Sequence, residues 1–330
     1  MKHFQLTILV GIITLLLVTG CAQTQKTKEL SKFKISVNSW VGFAPFYLAQ
    51  EKGFFKDEGL DVEITVMEGQ PERVSAITSG AIDAYGDTVD LLVLTKAEDV
   101  PTTAVSLLDF SYGGDGIVAT DSIKKLSDLK GKKVAVQKNF VGESFLLYLL
   151  QQGNISSDDL TMVDMESGAA GAAFVAGQVD AAVTFEPWLG KAKTRQGGHI
   201  LISSKDEPGI IVDLLSVNNN VLKTRPSDVK ALERAWFKAV DYWKNNPKEA
   251  DAIMAKQYDM SANDFADTIS GLQWPDYDKN KEYFGTQDNP GKIYEIAKTF
   301  SNIFAKAGTI NHEPEMTTAI DRGILQSLYS

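Results

Sequence analysis

The sequence predicts an α/β protein with two similar halves, and three observations support this prediction. The chain has 330 residues, of which 44% are hydrophobic and 23% charged, so it is long enough for two cores. From residue 33 onward, short runs rich in β-branched residues alternate with segments of helical periodicity, which is typical of strand-helix-strand units. The stretch SGAIDAYGDT (79–88) is echoed by AGQVDAAVTFEPW (176–188). We therefore expect two sheets flanked by helices.

In the first half, the strands are recognised by alternation or by continuous apolar runs. Leu60, Val62, Ile64 and Val66 alternate with polar residues and mark the second strand. The strands are predicted at residues 33–40, 60–68, 81–88, 101–110 and 116–121. Helices are predicted at residues 44–59, where two glycines interrupt the pattern, and at 71–80.

The same alternation restarts in the second half. Strands are predicted at residues 132–137, 160–165 and 179–188, with helices at 142–154 and 168–178. Near residues 209–222 the chain returns to a sheet, and residues 226–310 are predicted to be almost wholly helical. In that helical part, a stripe at helical spacing is expected to be core: Val229, Leu232, Trp236, Val240 and Trp243.

The N-terminus is of a different kind. A short cationic start precedes an apolar run, residues 4–18, that is too short to be a comfortable membrane span, so residues 1–20 are predicted to be a signal peptide. The single cysteine, Cys21, follows this run and resembles the acylated cysteine of a lipobox. That resemblance implies a lipid anchor at Cys21, a flexible tether at residues 21–32 and a protein held on the extracytoplasmic face of the cell membrane. The alternative is an unpaired cysteine after a simple signal.

Charge and composition argue against several classes of function. The formal net charge is −10 and no stretch is densely basic, so nucleic acid is not an expected partner. Beyond the signal, the chain has two histidines, His199 and His312, and neither a G-x-S-x-G motif nor a Walker loop. We therefore expect a protein that is not an enzyme and needs no metal or cofactor.

Five motifs occur in an order that resembles the substrate-binding proteins of ABC importers in the NMT1/THI5-like group, which takes up nitrate, sulfonates, taurine and thiamine precursors. They are NSWVGFAPFYLAQEKGFFKDEGLDVEI (38–64), GAIDAYGDTVD (80–90), LKGKKVAVQ (129–137), GQVDAAV (177–183) and EPWL (186–189). The resemblance implies a two-lobed periplasmic-binding-protein fold of type II, with two mixed sheets flanked by helices, that closes on its ligand by a hinge motion. It places residues 33–119 and 213–330 in lobe I and 120–212 in lobe II. A monomer that delivers a small solute to a permease and its ATPase is expected.

The ends of the strands carry the candidate ligand-binding residues, because ligands of open α/β sheets bind where the loops after the strands converge. Asp87 and Glu186 occupy matching places in the internal echo, so we expect the two carboxylates to face one cleft; a solvated helix cap is the alternative for Glu186. Trp40 and Phe43 are expected to form a flat wall. The remaining candidates are Thr88, Asp109, Tyr112, Asp115, Gly142, Glu143, Ser144, Trp188 and Asp213.

The candidate ligand-binding residues include several carboxylates and neither arginine nor lysine, which indicates a positively charged or strongly donating nitrogen compound rather than a bare anion. A guanidinium-like compound or an amine fits best. An amino-sulfonate, a simple sulfonate or nitrate, and a pyrimidine precursor of thiamine are alternatives. Other classes are a pyrimidine synthase that consumes its own histidine, a glycosidase, and a purely structural lipoprotein.

Overall fold

The computed structural model describes residues 29–286 and 288–329. The predicted signal peptide, Cys21 and residues 21–28 of the predicted tether lie outside the described residues. Residues 31 and 32, which we expected to belong to the tether, are already in the first strand.

Eleven strands are described. They are β1 (Ser31–Val37), β2 (Leu60–Val66), β3 (Ala84–Thr88), β4 (Thr102–Ser111), β5 (Asp115–Thr120), β6 (Lys133–Val136), β7 (Thr161–Asp164), β8 (Ala181–Phe185), β9 (Gly198–Ser203), β10 (Val212–Asn218) and β11 (Leu272–Gln273).

Fourteen α-helices are described. They are α1 (Ala44–Glu51), α2 (Phe54–Asp57), α3 (Gln70–Thr78), α4 (Val89–Ala97), α5 (Val141–Gln152), α6 (Ser167–Val175), α7 (Trp188–Ala192), α8 (Asn219–Thr224), α9 (Pro226–Asn245), α10 (Pro247–Ala255), α11 (Ala262–Ile269), α12 (Tyr277–Phe284), α13 (Lys292–Ala307) and α14 (Gly323–Gln326). None of the helices in this part of the chain is long and apolar enough to cross a membrane.

The strands form two mixed sheets, as the sequence predicted. The first sheet has the order β11-β4-β10-β3-β1-β2, and the second has the order β7-β6-β8-β5-β9. In the first sheet β1 is parallel to β2 and β3, whereas β10 is antiparallel to β3 and β4. In the second sheet β6 is parallel to β7 and β8, and β5 is antiparallel to β8 and β9. Every residue of β3, β8 and β10 is buried, because helices cover both faces of these central strands.

The chain crosses between the sheets earlier than we expected. Residues 115–119 were assigned to lobe I, but β5 pairs with β8 and β9 in the second sheet. The turn Tyr112–Gly114 therefore connects the two sheets, and residues 204–211 make the return connection to β10. The two connections are bonded together, since the hydroxyls of Ser111 and Ser204 lie 2.7 Å apart. Adjacent crossings of this kind are the expected place for a hinge.

Helices of the C-terminal half pack on the first sheet. Trp236 is 1% exposed and contacts Phe46 of α1 at a ring-centroid distance of 4.4 Å, which confirms its expected place in the core. Trp243 is half-buried rather than fully buried, and its ring meets Trp274 edge-on. The predicted all-helical region also contains a short strand, β11, which extends the first sheet beside β4.

Candidate functional site

A cavity lies between the two sheets, at the carboxyl ends of β1, β3 and β8. The first sheet and its helices supply Asn38, Trp40, Phe43, Arg73, Gly86, Asp87, Thr88, Leu91 and Asp213, and the second sheet and its connections supply Asp115, Phe140, Val141, Phe185 and Ile211. Its volume of about 20 Å³ is enough for about one water molecule. The two sheets are therefore closed on each other, and a larger solute enters only when they separate.

Aromatic rings form much of the wall, and two of them meet across the cleft. Trp40 is 4% exposed and packs edge-on against Phe185 of the second sheet, with ring centroids 5.6 Å apart. Its Nε1 donates to both carboxylate oxygens of Asp109 at 3.2 Å, which fixes the plane of the indole. Asp109 thus positions Trp40 but does not itself line the cavity.

Three aspartates share the cavity. Asp87 is the next-to-last residue of β3, Asp115 begins β5 and Asp213 lies in β10, and each is at most 5% exposed. Ser216 donates to one carboxylate oxygen of Asp87 at 3.1 Å. Buried carboxylates need a compensating partner, so these three residues give the cavity a strong demand for positive charge or hydrogen-bond donors.

Burial raises the pKa of each of these carboxyl groups. Removal from water raises the pKa of Asp87 to about 6, although Arg73 opposes the shift, and raises the pKa of Asp115 to about 7. The pKa of Asp213 is raised well above its usual value, first by burial and then by the neighbouring carboxylates, of which Asp109 contributes most. A proton or a bound cation is therefore needed to make the cluster neutral.

Arg73 corrects our expectation that the site contains no cationic side chain. It lies in α3, is 1% exposed and lines the cavity. Its Nη1 donates to the carbonyl oxygen of Gly86 at 2.6 Å, and its guanidinium lies 5.6 Å from the ring of Phe140. The charge balance of the cavity is one arginine against three aspartates rather than carboxylates alone.

Glu186 does not line this cavity, so the structure does not bring it together with Asp87 as we expected. One of its carboxylate oxygens accepts a hydrogen bond from the backbone amide of Gly190 at 2.8 Å, in the first turn of α7. The carboxylate therefore caps a helix, as in the alternative that the sequence left open, but it is half-buried rather than solvated, and its charge helps to raise the pKa of Asp115. Trp188 lies half-buried in a neighbouring surface groove with Gly168 and Glu166.

The other candidates divide between the cavity and its surroundings. Thr88 and Phe43 line it, whereas Gly142 and Ser144 are buried in α5 without lining it. The carboxylate of Glu143, in the first turn of α5, accepts a hydrogen bond from the backbone amide of Asn139 at 2.7 Å and so holds the preceding loop against the helix. The half-buried Tyr112 lies in the connection between the sheets, where Lys205 approaches its ring.

Sequence reasoning missed Asn38, Arg73, Phe140 and Phe185. Arg73 had a detectable signal, because Gln70, Arg73 and Ile77 are three or four residues apart and form the buried face of α3. Neither described histidine lines the cavity, and no cluster of three His, Cys, Asp or Glu side chains in the described part of the chain could hold a metal ion.

A family model described as NMT1/THI5 like matches residues 40–250. Among curated proteins, a putative binding protein of Brucella abortus is 26% identical over 63% of this chain, and the match spans 66% of that relative, just under two thirds of its length. A putative aliphatic sulfonates-binding protein of Bacillus subtilis is 27% identical over 77% of this chain and 78% of its own. A 4-amino-5-hydroxymethyl-2-methylpyrimidine phosphate synthase of Aspergillus parasiticus is 28% identical over 63% of this chain and 64% of its own.

Solved structures share the fold. The periplasmic aliphatic sulphonate binding protein SsuA of Escherichia coli superposes with a TM-score of 0.73 at 16% identity, covering 90% of this chain and 99% of its own. The periplasmic nitrate-binding protein NrtA of Synechocystis gives 0.71 at 15% identity, covering 91% and 88%. A Candida albicans protein described as having the generic periplasmic binding protein structural fold gives 0.69 at 14% identity, covering 89% and 97%. The expected periplasmic-binding-protein fold is confirmed.

Proposed function

The chain belongs to the NMT1/THI5-like family, and from this premise we propose that it is the extracytoplasmic solute-binding protein of an ABC importer. It captures a small nitrogen-containing solute between its two sheets and delivers it to a permease served by an ATPase. The fold supports this role, since a binding protein of this type encloses its ligand where the two sheets face each other. A lipid on Cys21 would keep the protein at the membrane surface.

The observation that carries the choice of solute is the cavity itself, in which Asp87, Asp115 and Asp213 are buried among aromatic rings with a single arginine. An amine or amidine nitrogen donates hydrogen bonds to carboxylates, and its positive charge interacts favourably with the face of an indole ring. It therefore suits both the aspartates and the aromatic rings of the cavity wall. A simple anion would instead bring a further negative charge to buried carboxylates.

A sulfonate or nitrate is the second candidate, and two observations favour it. Relatives that are named for binding aliphatic sulfonates and nitrate share the family or the fold. In addition, Arg73 offers the kind of donor that oxyanions require. This candidate requires the aspartates to be protonated when the anion binds.

Neither described histidine lines the cavity, which favours binding over synthase chemistry, because the self-consuming synthases use a histidine. His199 lies in β9, and His312 lies beside α3 and α4 in a separate groove. The family includes a synthase among its relatives, so the test below is a direct measurement of reversible binding.

Calorimetry and thermal unfolding with guanidine, taurine, an aminopyrimidine, nitrate and an alkanesulfonate at pH 8 test the proposal. A nitrogen compound should raise the melting temperature and bind reversibly, since a ligand that binds only the folded state stabilises it by mass action. Tightest binding of nitrate or of the alkanesulfonate contradicts the nitrogen proposal and selects the second candidate. If no compound shifts the melting temperature, the hypothesis of a purely structural lipoprotein is favoured over that of a solute-binding protein.

A further inference from the structure

Arg73 is held rigidly in the wall of the cavity. Its guanidinium lies 5.7 Å from the ring of Tyr85 on its own sheet and 5.6 Å from the ring of Phe140 across the cleft. Nη1 is occupied by the carbonyl oxygen of Gly86 at 2.6 Å. A guanidinium with aromatic rings near it and one nitrogen anchored has little rotational freedom, so its remaining donors keep a fixed direction.

Those remaining donors have no acceptor. Nε and Nη2 of Arg73 are buried and make no hydrogen bond within the described part of the chain. These two nitrogens lie on one edge of the guanidinium, and that edge is the one that grips a carboxylate or sulfonate with two parallel hydrogen bonds. A buried arginine that leaves this edge empty is arranged to receive an acidic group.

The rest of the cavity requires a hydrogen-bond donor or a positive charge rather than an acidic group. Asp115 and Asp213 line it without a basic side chain bonded to either, and of the described residues that line the cavity Arg73 alone is basic. Among the cavity carboxylates, Asp87 has the largest influence on Arg73 and Asp213 a smaller one, so one arginine faces three acidic groups and cannot neutralise all of them. A ligand that only accepts or only donates satisfies one part of this wall and leaves the other part unpaired.

We infer that Arg73 makes the cavity selective for a small zwitterion, in which an acidic group bound by Nε and Nη2 of Arg73 lies a few atoms from a basic nitrogen bound by Asp115 and Asp213. This inference rests on the proposed function and narrows it, because a bare guanidinium or amine answers the aspartates but not the arginine. It also accounts for an arginine in a cavity whose other charged groups are all acidic.

Three compounds with the same two-carbon chain test the inference: ethylamine, ethanesulfonate and taurine. Calorimetry at pH 8 should show that taurine binds about tenfold or more tightly than either of the others, the order expected when a charge-assisted bidentate contact is added. In Arg73→Gln, taurine affinity should fall about tenfold toward that of ethylamine, while ethylamine affinity changes by less than about threefold. Arg73→Lys, which keeps the charge but loses the paired donors, should lie between them.

Arg234→Gln is the matched control, since Arg234 pairs with Glu58 on the surface, away from the cavity, and its loss should leave all three affinities unchanged. Unfolding curves establish that each variant is folded, and Arg73→Lys serves if Arg73→Gln is not. Equal loss of ethylamine and taurine in Arg73→Gln, or wild-type binding of ethylamine that matches or exceeds taurine, overturns the role of Arg73. Either result leaves the proposed function standing, whereas tightest binding of ethanesulfonate by the wild type overturns both.

Discussion

At the scale of single residues, the aspartates determine how the cavity responds to charge. Asp115 is buried, has no basic partner, and lies near other carboxylates that disfavour its ionised form. When the solution is more alkaline than its pKa of about 7, folding must hold this negative charge in a poorly solvated place. The same carboxylate is needed to bind a basic nitrogen. Its ionised form therefore lowers the stability of the ligand-free protein but raises the affinity for the ligand.

Asp115→Asn should therefore stabilise the ligand-free protein at pH 8 and weaken binding of a nitrogen compound. Removing one uncompensated buried charge is expected to raise the free energy of unfolding by about 1–3 kcal/mol, which corresponds to a few degrees in melting temperature. Affinity for a cation or zwitterion should fall about tenfold or more. Thermal unfolding and calorimetry measure the two effects, and unchanged affinity would contradict the role given to Asp115.

Glu186→Gln provides the contrast, because its carboxylate caps α7 and lies outside the cavity. The substitution should change the free energy of unfolding by less than about 1 kcal/mol, because the loss of the charged cap is opposed by relief of a half-buried charge whose pKa burial raises. It should change ligand affinity by less than about threefold, within the range of a difference below 0.7 kcal/mol. A tenfold loss of affinity in this variant would restore the pairing of Glu186 with Asp87 that the internal echo suggested.

At the scale of elements, β3 can pack closely against Phe43 in the wall of the cavity only because residue 86 is a glycine and has no side chain. A Cβ at this position would lie 2.6 Å from the ring of Phe43, closer than side chains pack. Both residues line the cavity, so any displacement of the ring changes its shape. The glycine is required by close packing between a strand and the aromatic residue after β1, and not by a turn.

Gly86→Ala should consequently destabilise the protein by about 1–3 kcal/mol, the usual cost of overpacking a core. It should also weaken ligand binding, because Phe43 is forced to move. Gly69→Ala is the matched control, since a Cβ there would lie 3.9 Å from Cδ of Pro71, an ordinary van der Waals distance. Denaturant unfolding of the two variants compares them, and equal stability would show that the ring adapts without cost.

The packing of the whole helix α3 places the guanidinium of Arg73 in the cavity. Its buried face carries Gln70, Arg73 and Ile77, and the same helix borders a separate surface groove through Val74 and Thr78. Packing against β3 turns Arg73 inward, 14 positions before Asp87 in the sequence. The arginine and the aspartate meet because a helix and the following strand are adjacent in space, and no local motif contains both.

At the scale of the whole molecule, closure of the two sheets sets the pH response. Closure buries Asp87 and Asp115 and raises their pKa values to about 6 and about 7, whereas in the unfolded chain they titrate near 3.9. Between about pH 4 and pH 7 the folded protein therefore holds more protons than the unfolded chain, and its stability falls as the pH rises through this window.

The melting temperature of the ligand-free protein should accordingly rise when the pH is lowered from 8 to 5, with each such carboxyl adding up to about 1.4 kcal/mol per pH unit. Affinity for a basic ligand should show the reverse trend and increase from pH 5 to pH 8, because the ionised aspartates bind it. Affinity for nitrate or a simple sulfonate should instead decrease over the same range.

Glu233→Gln separates the pH dependence of stability from the pH dependence of ligand affinity. Glu233 is fully buried outside the cavity, accepts a hydrogen bond from Ser106 at 2.6 Å, and has its pKa raised by burial to about 7. Its substitution should flatten the dependence of stability on pH but leave the pH dependence of ligand affinity unchanged. A change in the latter would mean that the affinity profile does not report the cavity carboxylates.

The sequence by itself determined the α/β class, the two mixed sheets and the family, because these follow from local periodicity and from motifs that are contiguous in the chain. It also predicted six of the residues that line the cavity, because each lies in or near one end of a strand: Trp40, Phe43, Asp87, Thr88, Asp115 and Asp213. Tertiary structure alone decided that Arg73 enters the cavity, that Glu186 caps a helix instead, and that β5 joins the second sheet. The place of Arg73 and of β5 depends on which elements pack together: the spacing in α3 marks Arg73 as buried but does not say what it faces. The Glu186 cap is a contact between residues four positions apart, which the sequence allowed but could not choose over the pairing that the internal echo suggested.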